Sequence, residues 1–235
     1  ISGRSFNTFK LDEFGILTKT STDPKLKTEI TWYKEIKKNG LNYLTPSFYG
    51  ETITKDGDKE VISYKIEYVN GSTLTEYFNY YKIIPANWAY IFKKLLRVAS
   101  TLWAKKAPSE FNIKKNCELM YKTKTLDRIA KWHRKDILEQ ETISANGERL
   151  MGFYKVYEKL KGRIDALIES SPKFASIIHG DMCFSNTVFL AQTGTFKFIA
   201  PRGQFGEESI YGDYRYDIAK MRHNYHGLYD FLALG

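Results

Sequence analysis

The reading turns on Ile177-Ile178-His179-Gly180-Asp181-Met182-Cys183-Phe184-Ser185-Asn186-Thr187-Val188-Phe189. Its chemical kernel is H-G-D-x-x-x-x-N, with Asp181 and Asn186 five positions apart. A loop of this form sets a carboxylate and an amide side by side. Asp181 can accept or orient the proton of a substrate hydroxyl. Asn186 can offer its amide oxygen to a divalent cation such as Mg2+, which favours hard oxygen ligands. A bare D-x4-N match is common by chance. This one follows His179-Gly180 and precedes a predicted β-hairpin, with strands over 187–190 and 196–199 and a Gln192-Thr193-Gly194 turn, and that context makes the match more specific.

Two further pieces lie downstream. Phe196-Lys197-Phe198-Ile199-Ala200-Pro201-Arg202-Gly203 closes the hairpin, with Ala200 fourteen positions past Asn186. Tyr211-Gly212-Asp213-Tyr214-Arg215-Tyr216-Asp217-Ile218-Ala219-Lys220 then leads into a predicted helix from about Asp217, which is placed to cap it. A structural role for Asp217 outweighs a catalytic one.

Protein kinases hold their catalytic Asp and metal-binding Asn at the 181/186 spacing. Residues 177–221 more closely resemble the aminoglycoside phosphotransferase and choline kinase superfamily. Within it they resemble a bacterial branch associated with capsule and surface-polysaccharide biosynthesis, which shows H-G-D-x-x-x-x-N, then I-D-P-R-G-x-F-G, then G-D-x-x-Y-D-x-A-K. This chain has all three, with one departure: Ala200 stands where that pattern has aspartate. The resemblance implies an α+β, bilobal protein kinase-like fold. A small antiparallel β N-lobe would occupy residues 1–70, and a larger, mostly helical C-lobe with a β-hairpin catalytic region residues 71–235. It implies ATP and Mg2+ as cofactors and a small hydroxylated acceptor, such as a sugar, polyol or amino alcohol. It also implies that Lys19 holds the α- and β-phosphates and that Glu29 aims it. Ser2-Gly3-Arg4-Ser5 would end a phosphate-covering loop, and the backbone of Glu67-Tyr68-Val69 would form the interlobe hinge that pairs with adenine. His179 is structural in this reading, Asp217 hydrogen-bonds the catalytic loop backbone, and positions 186 and 200 are the metal positions.

Position 200 separates two mechanisms. Phosphoryl transfer uses a metal ion to bridge phosphate oxygens and neutralise developing charge. Alanine supplies no ligand, so slow transfer or none is expected. The chain is then either an inactivated variant of a kinase or a natural nucleotide-binding pseudokinase with a regulatory or scaffold role. Retention of Asp181, Asn186, Lys19 and Arg202 favours the former.

On the substrate side the candidates are Asp181, Arg202, Asp213 and the pair Lys124 and Arg128. Lys124 and Arg128 are four apart and share one face of a predicted helix. They can grip a phosphate or carboxylate; a solvated basic face is an equally available reading.

The N-terminal third reads as strands and turns: Ser5–Leu11, a turn at Asp12–Gly15, Ile16–Thr20, then Tyr49–Thr54 and Val61–Val69 around Asp56-Gly57-Asp58. Asp23-Pro24 opens a helix whose apolar face carries Ile30, Tyr33 and Ile36. From Leu74 the period turns helical: Leu74–Tyr81, Asn87–Ala104, Asn112–Ile143 and Arg149–Glu169, with Asn146-Gly147 separating the last two. The aromatics Trp88, Tyr90, Phe92, Trp103, Tyr154 and Tyr157 read as core.

Composition sets the outer limits. The 235 residues are 43% hydrophobic and 15% aromatic, enough for a core without disulfides or metal, which excludes a disordered or collagen-like chain. No apolar run reaches the roughly 18 residues of a membrane span. Cys117 and Cys183 match no metal spacing and read as free thiols in a cytoplasmic protein. The net charge of +9 suits nucleic acid, an anionic membrane or a charged small substrate. No helix-turn-helix, RNP or zinc pattern supports the nucleic-acid reading. The absence of an initiator Met and the ending at Leu234-Gly235 lead us to expect a piece of a longer protein, its first strand upstream of residue 1 and further domains fused to it.

Overall fold

Asp12 makes the first turn. Its Oδ1 accepts the N–H of Phe14 at 3.0 Å and of Ile16 at 2.8 Å, so the chain reverses between β1 (Asn7–Leu11) and β2 (Ile16–Ser21). The computed structural model describes residues 7–207 and 209–234; the expected strand start at Ser5 and the Ser2-Gly3-Arg4-Ser5 loop lie outside them. Next comes α1 (Lys25–Lys38), where the Asp23 carboxylate accepts the Lys25 N–H at 2.9 Å and Pro24 sets the incoming φ at −59°. Leu26, Ile30, Tyr33 and Ile36 recur at helical spacing and are buried. β3 (Phe48–Asp56) and β4 (Lys59–Glu67) complete a four-stranded antiparallel sheet of order β1-β2-β4-β3. Its register sets Lys19 opposite Phe9 on one side and Tyr64 on the other.

The helical part begins with β5 (Ser72–Thr73) and α2 (Leu74–Tyr80), whose N-terminus is closed by a Thr73–Glu76 capping box. Then α3 (Pro85–Trp103) buries Ile91, Leu95, Ala99, Leu102 and Trp103. The long helix expected over Asn112–Ile143 is not one helix. It divides into α4 (Ile113–Glu118), a π turn over Leu119–Thr123, α5 (Lys124–Ala130) and α6 (Lys135–Leu138). A hairpin of β6 (Thr142–Ala145) and β7 (Glu148–Met151) follows. Asn146 and Gly147, expected to divide two helices, are the hairpin's two-residue loop, with φ of 53° and 79°. Asn-Gly accepts positive φ at both positions, which is what the type I′ turn demands. The helix expected from Arg149 therefore starts later, as α7 (Phe153–Ser170).

Short strands frame the remaining chain. β8 (Ala175–Ile177) pairs with the later β11 (Tyr211–Asp213), and β9 (Thr187–Leu190) pairs with both β10 (Thr195–Phe198) and β5. α8 (Arg215–Tyr225) and α9 (Tyr229–Leu234) follow β11. The architecture is the expected mixed one, an antiparallel N-terminal sheet followed by a mainly helical part. No helix of the described residues is long and apolar enough to cross a membrane.

One core runs through both parts, including Trp32 and Ile36 of α1, Ile62 and Tyr64 of β4, Leu95 and Leu102 of α3, and Phe184, Phe198 and Phe205. Trp88 and Phe92 pack on Phe184, and Trp103 stacks on Tyr214, as core aromatics do. Tyr90 and Tyr154 are exposed instead. Polar side chains tie the N-terminal part to the helical part. Trp32 Nε1 donates to the Ile178 carbonyl at 2.7 Å, Thr28 Oγ1 to the Arg202 carbonyl at 2.8 Å, and Lys197 Nζ to the carbonyls of Tyr43 and Thr45 at 3.0 and 2.8 Å.

The Trp32 bond is fully buried, so its loss strands a carbonyl away from water and leaves a void. Trp32→Phe is expected to lower unfolding free energy by about 2–4 kcal/mol in urea titrations. A change within about 0.5 kcal/mol would show that the tie carries no stability.

Candidate active site

Lys19 points from β2 towards α1. Its Nζ donates to both oxygens of Glu29, at 2.8 and 2.7 Å, and the Tyr64 hydroxyl donates to Glu29 Oε2 at 2.9 Å. The rings of Phe9 and Tyr64 lie 5.9 Å from the ammonium. With Lys19 only 6% exposed, the pair is not a solvated surface contact. A buried ion pair of this kind contributes defined geometry more than stability.

The loop that follows β8 is held by a carboxylate from α8. Asp217 Oδ2 accepts the N–H of His179 at 2.9 Å and the Trp103 indole N–H at 3.1 Å, while Oδ1 accepts the Gly180 N–H at 2.8 Å. The expectation that Asp217 caps its own helix is corrected. It is the third residue of α8 and reaches outward, because the donors it meets are the loop's backbone groups. Burial raises its carboxyl to about 6, against the pull of these donors. His179 is buried as well: Nε2 donates to the Ile199 carbonyl at 3.0 Å and Nδ1 accepts the Asp181 N–H at 3.2 Å. That pairing fixes the neutral tautomer, and burial pushes the imidazole down to about 4.

Asp181 and Asn186 come together as expected. Asn186 Nδ2 donates to the Asp181 carbonyl at 2.9 Å and approaches its Oδ2 at 3.4 Å. Lys220 of α8, not singled out from sequence, places Nζ 2.8 Å from Asp181 Oδ1. Burial opposes the Lys220 charge, but the Asp181 carboxylate outweighs it and holds the ammonium above its usual range. Asn224, also missed, accepts the Phe184 N–H at 3.0 Å and so anchors the loop's far side. Lys220 stands three positions after Asp217, on the same helix side, and that spacing was the available signal.

The segment after β10 docks on α1. Ala200 has φ of 50°, a conformation that aspartate and asparagine enter more readily than alanine. Gly203 has φ of 62°, and a Cβ there would stand 1.9 Å from the Thr28 carbonyl oxygen, so only glycine lets the segment lie this close to the helix. Arg202 donates its N–H to the His179 carbonyl at 2.9 Å and NH1 to the Tyr216 hydroxyl at 3.3 Å. Among the described residues no three His, Cys, Asp or Glu side chains gather as a metal site. Asn186 Oδ1 is one amide oxygen, and Ala200 offers a methyl group. The oxygen shell that Mg2+ requires is not supplied by these side chains.

The other candidates divide. Glu67 ends β4 with its carboxylate on the N–H and hydroxyl of Ser47, at 3.0 and 3.1 Å. Val69 follows outside any strand, and among the described residues its N–H has no backbone partner. Lys124 and Arg128 line a cavity of about 510 Å³ between α5, α7 and α8. Asp213 does not join them: it is fully buried and its carboxylate is held by the Arg215 guanidinium at 2.5–3.0 Å. It is a structural residue because that pairing leaves it no face for a substrate. Cys117 and Cys183 are free.

No protein-family model and no curated protein matches the sequence. Solved structures do. The aminoglycoside phosphotransferase APH(2")-IIia in its GDP and kanamycin complex aligns with TM-score 0.58 and 14% identity, over 100% of this chain and 74% of its own. The chain has a protein kinase-like fold. APH(3'')-Id from Streptomyces rimosus, with ADP and streptomycin, gives 0.57 and 11% over 96% of this chain and 82% of its own. Wild-type aminoglycoside 2'-phosphotransferase-IIIa with GDP gives 0.57 and 16% over 98% and 73%. At these identities the likeness is one of fold. It covers both the N-terminal sheet and the helical part of this kinase-like chain.

Within that fold His179 sets a pH signature. Below its ordinary value of 6.5 the unfolded chain takes up a proton that the folded imidazole refuses down to about 4. The unfolded state binds more protons in this window, so stability falls as pH falls, by about 3 kcal/mol in total. Asp217, raised from 3.8 to about 6, works in the opposite sense over the lower part of the range. A comparison with His179→Gln isolates the imidazole. The stability difference, wild type minus variant, should shrink by about 3 kcal/mol between pH 7 and pH 4; a constant difference would contradict a buried neutral His179.

Proposed function

We propose that this chain is built as an ATP-dependent phosphotransferase acting on a hydroxyl of a small molecule, and that Ala200 leaves it able to bind its ligands with little or no turnover. The observation that carries the reading is the buried Lys19–Glu29 pair in one part of the chain together with, in the other, Asp181 and Asn186 on a clamped loop and Lys220 of α8 paired with Asp181. The fold shared with nucleotide-bound phosphotransferases is consistent with it.

In this proposal the remaining Lys19 N–H faces the α- and β-phosphates, and Glu29 keeps the ammonium aimed. The backbone of Glu67–Val69 offers the adenine contacts, and the boundary between a nucleotide-binding N-lobe and an acceptor-binding C-lobe lies at about residue 70. Asp181 orients the acceptor hydroxyl and takes its proton on Oδ2, since Lys220 occupies Oδ1. Asn186 fixes Asp181 through the backbone carbonyl. Mg2+, when bound at such a site, would neutralise charge on the phosphates; here Asn186 would be left to hold it without a partner at Ala200. Arg202 lies beside the acceptor. The three sequence motifs further support a cytoplasmic role in capsular or surface-polysaccharide assembly, with a sugar, polyol or amino alcohol as acceptor.

A second reading, a nucleotide-binding pseudokinase with a regulatory role, draws on Ala200 alone. The φ of 50° at that position favours the first, because an aspartate fits this backbone at least as well as alanine. Ala200→Asp is therefore expected to fold normally and to gain Mg2+-dependent ATP turnover, with Asp181→Asn in that background abolishing it. Lys19→Met should weaken ATP binding about tenfold or more in calorimetry, the loss of one charge-assisted contact. Failure of both the chain and its Ala200→Asp variant to bind ATP would falsify the kinase reading; ATP binding with no turnover in the variant would favour the pseudokinase.

A further inference from the structure

The cavity between α5, α7 and α8 carries positive charge with nothing to balance it. Its volume of about 510 Å³ is within the range of small-molecule sites. Met120, Ile164 and Leu167 give it apolar walls, and Tyr121 and Tyr216 give it aromatic ones. Among the described residues no acidic side chain lines it. Arg215 contributes to the lining but is committed: Asp213 takes it in a fork, Ser170 Oγ and the Leu167 carbonyl accept from it at 2.9 and 2.8 Å, and the Phe174 ring lies 3.9 Å away. The nearby acids Glu118 and Asp165 both face Lys122. Lys124 and Arg128 are different. Lys124 Nζ has only the Met120 thioether, at 3.9 Å, and Arg128 has no hydrogen bond or ion pair among the described residues. Two cations one helical turn apart thus face an apolar cavity unneutralised.

This cavity shares walls with the reaction centre. Tyr216 lines it, and the same hydroxyl accepts from Arg202 at 3.3 Å. Ala219 lines it, and the next residue, Lys220, holds Asp181. Tyr216 and α8 thus connect the cavity to Arg202 and to the helix that carries Lys220.

We propose that the acceptor carries an anionic group, a phosphate or a carboxylate, which Lys124 and Arg128 bind while the hydroxyl to be phosphorylated is turned towards Asp181. The inference rests on the phosphotransferase reading above and narrows its acceptor. A cationic acceptor needs carboxylates here, and none of the described residues lining the cavity supplies one. Phosphate and carboxylate both satisfy a Lys–Arg pair, with the guanidinium fork able to engage two oxygens at once.

The test uses the intact chain saturated with ADP, so that the nucleotide site is filled. Melting shifts and calorimetry are recorded with four probes: inorganic phosphate, acetate, glycerol and choline. One or both anions should bind, with phosphate identifying a phosphate-bearing acceptor and acetate a carboxylate; glycerol and choline should not compete with them. Lys124→Gln/Arg128→Gln should weaken anion binding about tenfold or more while ADP affinity and melting temperature stay unchanged, because neither side chain has a structural partner to lose. Arg128→Gln alone should give part of that loss. Anion binding that survives the double variant overturns the inference, as does choline binding as well as the anions do. ADP binding with no anion binding also overturns it and leaves the phosphotransferase reading standing. Without nucleotide binding by the chain and by its Ala200→Asp variant that reading fails, and the anion arm alone decides whether the cavity is an anion site.

Discussion

The buried carboxylate of Asp217 is the contact on which the candidate site depends. It accepts three N–H groups, two of them consecutive backbone amides of the loop that presents Asp181. Hydrogen bonds to an ionised group are worth roughly 1.5–3 kcal/mol each, and an ionised carboxylate left bare in the interior costs several. Loop and carboxylate therefore hold each other. The loop's remaining contacts add to this hold: the His179 carbonyl receives Arg202, the Ile178 carbonyl receives Trp32, and Asn224 closes the far end.

Helix α1 transmits that order to the N-terminal sheet. Thr28 bonds the Arg202 carbonyl and lies against Gly203, and the next residue, Glu29, holds Lys19. Adjacent residues on one helix thus touch the two halves of the candidate site. A displacement of α1 large enough to break the Thr28 contact also misaims the lysine. Lys197 adds a separate brace from β10 to the loop before β3.

Much of this was legible in the sequence because it is local. H-G-D-x-x-x-x-N followed by a hairpin places Asp181 beside Asn186; the N-terminal turn and helix signals place Lys19 on a strand and Glu29 on a helix, and only the family resemblance pairs them. What escaped was tertiary or was read with the wrong period. Lys220 reaches Asp181 only because α8 packs beneath the loop. Asp213 reads as polar and available, yet the fold buries it against Arg215. Between Asn112 and Ile143 the apolar spacing favours a helix, whereas Asn146-Gly147 is a strong two-residue hairpin signal, and the structure uses it as one. Lys124 and Arg128 could be placed on one face, but not against a cavity, since its other walls come from α7 and α8.

The π turn over Leu119–Thr123 bears on that face. Each residue advances an α-helix by about 100°, and a π turn takes in one residue more than the α-helix would. The extra residue sets the azimuth at which α5 leaves α4, and so decides which side of α5 meets α7 and α8. The electrostatic character of the cavity is thus a matter of helical phase as well as composition: the same basic residues, carried on an unbroken helix, would face another direction.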